Sequence, residues 1–279
     1  MVQYALLLFS GWLELNDIKG FRQLHSNTPG HPEVEIPGVE CTTGPLGQGF
    51  AMGAGMAQAE AYLRNIFTNS NSKASSLVDH YTYVLASDGD LQEPVALGTA
   101  SLAGHLGLSK LIVFYDANNA QISGNTNRSD STNYKKIFDG FNWHVQEIDG
   151  HNHNQIKQSI ENAQKDNRPS IIIGNTFMAK GTASMEGDHN THGAPLPQKE
   201  IDLSKLKLGL PNDKFYFPEK IKMYYQSRFS KLSAAVKLWN DRKEQLISIN
   251  KTSSLVSICL DEKLPKTVFP FFVSGEMIA

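Results

Sequence analysis

The sequence predicts an α/β fold: a parallel β-sheet sandwiched by helices, followed by a C-terminal helical linker. Three observations carry that expectation. Apolar runs of β type recur at Tyr81–Ala86, Leu111–Tyr115, His144–Ile148 and Ser170–Thr176. Helical patterns alternate with them, at Leu46–Phe67, Glu93–Leu108 and Ile156–Lys165. The runs are nearly continuous in apolar character rather than alternating, as strands covered on both faces require.

Taken in order, Val2–Trp12 (VQYALLLFSGW) reads as a buried helix, because it lacks the basic start and small-residue cleavage site of a signal peptide. Asn69–Ser76 and Ser123–Thr132 are rich in Ser, Asn and Thr and read as surface loops. Residues 199–251 hold 12 Lys or Arg against 6 acids, whereas all nine histidines lie at or before His192. Groups suited to proton chemistry near neutral pH are thus confined to the first two thirds. Beyond Pro211 and Pro218, the helical spacing of Tyr225, Phe229, Leu232, Val236 and Trp239 predicts an amphipathic helix that packs on a neighbouring domain, its lysines solvated. No internal repeat is visible. The expected organisation is an α/β domain over 1–198, a basic helical extension and linker over 199–265, and a separate start at 266–279.

Composition bounds the function. The chain has 279 residues, 40% of them apolar, with 26 Lys or Arg against 28 Asp or Glu and a net charge of −2. That balance argues against nucleic acid as a partner. No stretch reaches the ~18 apolar residues of a membrane span, so no membrane role is expected. Two cysteines, Cys41 and Cys259, are too few for a disulfide framework and suit the reducing cytoplasm.

The chemistry concentrates at two strand ends. Tyr81–Ala86 runs into Ser87-Asp88-Gly89-Asp90-Leu91-Gln92-Glu93, and Leu111–Tyr115 runs into Asp116-Ala117-Asn118-Asn119. A carboxylate just past the carboxyl end of a parallel strand faces the crevice where such sheets bind ligands. Asp88 and Asn118 offer an anionic and an amide oxygen, hard donors that suit Mg²⁺ or Ca²⁺, and Mg²⁺ commonly completes its shell with phosphate oxygens. Read alone, the same residues are also ordinary turn formers.

Further segments decide between these readings. Asp88-Gly89, 28 residues and then Asn118-Asn119 stand beside HSNTPGHPE (His25–Glu33), GVECTTGPLGQG (Gly38–Gly49), SLAGHLGLSKLIVFYD (Ser101–Asp116) and HNTHGAPL (His189–Leu196). In these motifs and their order the sequence resembles transketolase, a family that uses thiamine diphosphate, over residues 1 to about 250. The resemblance implies the thiamine diphosphate-binding fold, with Asp88, Asn118 and the main-chain carbonyl of Ala120 as ligands of Mg²⁺ or another divalent cation. It implies that Gly44, Pro45, Leu46 and Gly89 line the cofactor, Asn118 beside them. His31 would hydrogen-bond the sugar donor, and His192 would contact both diphosphate and substrate. Glu93 would link two cofactor sites across a dimer. The implied activity is transfer of a two-carbon glycolaldehyde unit from a ketose phosphate to an aldose phosphate in the pentose phosphate pathway. Xylulose 5-phosphate and ribose 5-phosphate are the class of substrate.

Other readings of single residues stay open. His189 with His192, or His151 with His153, has the look of a zinc pair lacking further ligands. Glu93 also suits the first turn of a helix. Lys180 reads equally as a phosphate partner or a solvated side chain. The motif's first glycine is Ser87 here, and Ala120 stands where the family usually has isoleucine. Met1 resembles the end of a GHxSM segment whose histidine lies upstream, and 266–279 resembles the start of the family's pyrimidine-binding domain. The isolated chain is therefore expected to need a homodimer or a separate pyrimidine-domain chain, and to be inactive alone. The alternative is a non-catalytic remnant that binds only cofactor or a related chain. A 2-oxo acid dehydrogenase α subunit shares the cofactor motif but not GVECTTGPLGQG or HGAPL.

Overall fold

A computed structural model of the chain describes residues 1–70 and 77–249. The described residues fall into two units: Met1–Ala59 with His80–Gln226, and the described part of Glu60–Asp79 with the residues from Ser227 on.

The first unit is built on four parallel strands, β1 (Thr82–Ser87), β2 (Leu111–Ala117), β5 (His144–Asp149) and β6 (Ser170–Asn175), in the order β1-β2-β6-β5. Each lies within two residues of the run that predicts it. The two central strands are the most continuously apolar, and Ser170 to Gly174 of β6 are all buried. β1 is an edge strand among the described residues, and on one face its Tyr83 and Leu85 are 55% and 81% exposed.

Helices lie on both faces. α7 (His153–Ala163) covers one, where Ala163 and Ile160 meet Ile112, Ile172, Phe114 and Ile148. Asn152 caps it, accepting the backbone N–H groups of Asn154 and Gln155. The other face carries Val84, Val113 and Tyr115. There α3 (Gln48–Ser70) comes so close that a Cβ at Gly53 would lie 2.4 Å from Val84 Cγ2. Phe50 of α3 joins Phe138 of α6 (Tyr134–Gly140) and the fully buried Trp143 in an aromatic cluster. The Trp143 indole N–H donates to Ala100 O, 2.8 Å away in α5 (Pro94–His105), which satisfies the cluster's polar atom.

A smaller core supports the N-terminal loops. α1 (Val2–Phe9) and α2 (Leu15–Lys19) bring Tyr4, Leu7, Leu13 and Ile18 against Ile36 and Val39. The Tyr4 hydroxyl donates to Pro29 O at 2.7 Å, just ahead of His31. The expected buried helix Val2–Trp12 is thus shorter and one-sided: Val2 is 73% exposed, because only the Tyr4–Leu7 face meets a core.

Three further expectations meet the structure at their edges. The helix expected from Leu46 starts at Gln48, and that from Glu93 starts at Pro94 behind a short α4 (Asp88–Gln92). The expected loop Ser123–Thr132 contains half of a small hairpin, β3 (Ala120–Gln121) against β4 (Gly124–Asn125), and a 3₁₀ turn at Thr126–Arg128. Of the loop Asn69–Ser76, the first two residues end α3 and the rest lies outside the described residues, as does everything expected of 250–279.

α8 (Gln198–Lys207) and α9 (Glu219–Ile249) follow the sheet. Phe229, Leu232, Val236 and Trp239 of the predicted stripe all stay exposed. Tyr225 stacks obliquely on Phe9, ring centroids 5.3 Å apart. In the second unit the Trp239 indole donates to Leu77 O at 2.9 Å, and Arg64 lies 3.3 Å from the buried Glu60 carboxylate. No helix among the described residues is long and apolar enough to cross a membrane.

Candidate functional site

β1 and β2 run parallel with Ser87 opposite Asp116, so their carboxyl ends are level. Asp88 directly follows one strand and Asn118 directly follows the other. A cleft of about 670 Å³ opens there, lined by His31, Gly44, Leu46, Gly89, Glu93, Asn118, Ala120 and His192. Eight of the ten predicted site residues, from five separate segments of chain, thus share one wall. Pro45 is exposed between two lining residues but is not itself part of the wall, and Asp88 is buried beside it.

The turn after β1 is held by its own side chains. Ser87 caps α4, and Asp90 answers it: one Asp90 oxygen accepts the Ser87 N–H at 2.9 Å and the Ser87 hydroxyl at 2.8 Å. The other accepts the Gly47 N–H at 2.9 Å, tying this turn to the Gly44–Leu46 loop ahead of α3. The backbone at Ser87 has φ −120°, which serine adopts freely, so the departure from the family's glycine costs no strain. The Ser-x-x-Asp spacing was a readable signal for Asp90.

Asp88 is 5% exposed. Its Oδ1 accepts the Tyr115 hydroxyl at 2.5 Å, and its Oδ2 is buried with no hydrogen-bond partner. Burial pushes its carboxyl up, against the pull of Tyr115 and of the nearby Asn119 and Ala120 amides; neither amide closes a hydrogen bond to Oδ2. The same burial and the neighbouring carboxylate raise the Tyr115 phenol far above its ordinary value.

Asn118 is oriented by Asp116, two residues earlier in β2. Its side-chain N–H donates to Asp116 Oδ2 at 3.1 Å, while Asp116 Oδ1 accepts the Thr176 hydroxyl. That leaves Asn118 Oδ1 turned into the loop, where it accepts the Ala120 N–H at 3.0 Å and keeps a second lone pair. Asn119 takes the left-handed conformation (φ 57°) and is absent from the cleft wall, so Asn118 is the one of the pair that faces it. In the hairpin the Thr126 N–H bonds to Asn119 O, so the ladder skips Ala120 and turns its carbonyl away from the partner strand.

The donor set therefore fits a hard cation: a buried carboxylate oxygen without a partner, an amide oxygen and a free main-chain carbonyl, all at one sheet end. The histidines frame the opening. His31 packs on Gly44, where a Cβ would lie 3.0 Å from its ring. His192 ends the 3₁₀ turn His189–Thr191, which Asp188 caps at 2.9 Å to the Asn190 N–H. Glu93 is the N-cap residue of α5 but makes no side-chain capping bond.

The remaining candidates sit elsewhere. Lys180 pairs with Glu186 at 2.8 Å and lies over the Phe177 ring. His151 Nε2 accepts the Phe177 N–H at 2.9 Å. Among the described residues no three His, Cys, Asp or Glu side chains cluster as metal ligands. Ser87, Gln92, Gln121, Ile122, Ser123 and Met178 complete the wall, and all but Ser87 carry no motif by which sequence reasoning finds them.

Comparison with known proteins shows the family. Residues 1–265 match the family described as "Transketolase, thiamine diphosphate binding domain". Transketolase 2 of Escherichia coli is 43% identical over 246 residues, which cover 87% of this chain and 36% of that protein. A transketolase of Buchnera aphidicola is 46% identical over 225 residues, covering 79% of this chain and 33% of that one. The crystal structure of Campylobacter jejuni transketolase superposes with a TM-score of 0.82 at 40% identity, covering 87% of this chain and 38% of that one. A Pichia stipitis transketolase mutant in complex with xylulose 5-phosphate gives 0.88 at 34% identity, covering 95% and 40%. The chain spans little more than a third of the curated relatives it matches. With a family match over nearly its whole length, the chain belongs to the transketolase family, in the part that forms the thiamine diphosphate-binding domain.

Proposed function

We propose that this chain supplies the diphosphate- and cation-holding half of an active site for two-carbon ketol transfer between sugar phosphates, in the pentose phosphate pathway. The observation that carries the reading is the buried, unpartnered Oδ2 of Asp88 beside Asn118 and the Ala120 carbonyl. A buried carboxylate oxygen without a partner is costly, by roughly 1–3 kcal/mol or more, unless a ligand completes it.

In this reading Asp88, Asn118 and the Ala120 carbonyl hold Mg²⁺, or Ca²⁺ in its place, and the cation holds the diphosphate of thiamine diphosphate. The Gly44–Leu46 loop and Gly89 give the diphosphate a wall without bulky side chains. His31 and His192, at the mouth, donate hydrogen bonds to sugar hydroxyls and phosphate oxygens. Glu93 faces the cleft without a capping duty and is placed to accept a bond from a partner chain. When bound, the cofactor supplies the carbon nucleophile and the electron sink for the ketol unit. Activating that carbon needs a pyrimidine-binding domain, from a homodimer partner or a separate chain, and the site works in the cytoplasm.

Calorimetry tests the first step. Thiamine diphosphate is expected to bind with Mg²⁺ and to bind at least about tenfold more weakly without it or in Asp88→Ala. Equal affinity with and without the metal overturns the assignment.

A further inference from the structure

The protein treats the two oxygens of Asp88 differently. Tyr115, itself 5% exposed, occupies Oδ1 through its hydroxyl at 2.5 Å and leaves Oδ2 buried and unpartnered. Tyr115 has little freedom to do otherwise. It lies on β2 opposite Ala86, two residues ahead of Asp88, with the Tyr134 ring edge-on at 5.7 Å. Tyr134 in turn donates its own hydroxyl to Asp130 at 2.7 Å. No motif or spacing in the sequence singles out Tyr115.

We propose that Tyr115 is a positioning residue that sets the cation preference of this site. By holding Oδ1 it fixes the Asp88 rotamer and presents Oδ2 alone, as a one-oxygen ligand. Mg²⁺ demands a near-ideal octahedron, with oxygens at ~2.1 Å, whereas Ca²⁺ takes 6–8 oxygens at ~2.3–2.6 Å and accepts both oxygens of one carboxylate. A carboxylate pinned at one oxygen therefore favours the smaller ion; a released one is free to turn both oxygens toward the larger. The proposal rests on the reading of Asp88 and Asn118 as cation ligands.

Tyr115→Phe removes only the hydroxyl, and the test compares Mg²⁺ with Ca²⁺ by calorimetry in the presence of saturating thiamine diphosphate. Mg²⁺ affinity is expected to fall roughly tenfold or more, within the ~10–100-fold range for partners of metal ligands, and Ca²⁺ affinity by less than about threefold. Tyr134→Phe, which loses a hydroxyl bonded to Asp130 instead, is expected to leave both within about twofold. Equal losses for the two ions, or none, overturn the proposal while the wild-type site stands. Failure of the wild type to bind either ion with the cofactor overturns the site itself, and the proposal with it. Should Tyr115→Phe not fold, the unaltered protein still decides the matter. Mg²⁺ with thiamine diphosphate is expected to perturb the ultraviolet absorption of a buried tyrosine, in the wild type and in Tyr134→Phe alike. A flat difference spectrum overturns the role of Tyr115.

Discussion

At the scale of single residues, the same carboxylate chemistry serves two purposes a few ångströms apart. Asp88 is left incomplete, whereas Asp90 is saturated by Ser87 and Gly47. Asp90 is therefore the structural member of the pair, and replacing it has a different signature. Asp90→Ala should lower unfolding stability by about 2–3 kcal/mol, the range for several bonds to one charged acceptor. In urea this reads as a lower midpoint with an unchanged slope. An unchanged midpoint would show that the Gly47 bond does not tie the two loops together. The ligand candidates Asp88 and Asn118 were legible from residue type and spacing, because oxygen donors at strand ends follow from local sequence. Tyr115 and Asp116, which hydrogen-bond those two side chains, were not: on a strand they look like any residues of LIVFYD, and only the fold shows what each side chain meets.

At the scale of elements, each strand and the helix after it are readable because their periodicity is local, and the limits shift where capping intervenes. Pro94 opens α5 one residue after its expected start at Glu93, and Ser87 caps a short α4 ahead of it that the helical pattern does not predict. The turn between α7 and β6 shows a different control. Asp166 accepts two bonds from the Arg168 guanidinium, at 2.9 and 2.8 Å, and lies 3.8 Å from His144 at the start of β5. The Arg168 bonds, with His144 nearby, lower its carboxyl to about 2. An unfolded aspartate titrates near ~3.9, so this contact stabilises the fold above that pH. The contribution is lost as pH falls from ~4 toward the folded value of about 2. Because the pair is partly exposed, Asp166→Asn should cost only about 1 kcal/mol at neutral pH. Denaturant midpoints of wild type and variant should converge on acidification to about pH 2; a gap that persists there would rule out this linkage.

At the scale of the whole molecule, a preparation of these 279 residues alone is expected to bind cofactor yet show no ketol transfer from xylulose 5-phosphate to ribose 5-phosphate. Turnover by pure material would refute the need for a pyrimidine-binding domain. By itself the sequence determined the α/β class, the sheet's strands, the family and the oxygen donors at the ends of β1 and β2. All of these are carried by short-range pattern: apolar runs, turn residues and motifs a few residues long. Only the tertiary structure decided the strand order β1-β2-β6-β5, the gathering of His31, Gly44, Glu93 and His192 around one cleft, and the unequal treatment of the Asp88 oxygens. Those features join residues far apart in the chain. Their positions depend on how helices and sheet bury one another, which no local window of sequence encodes.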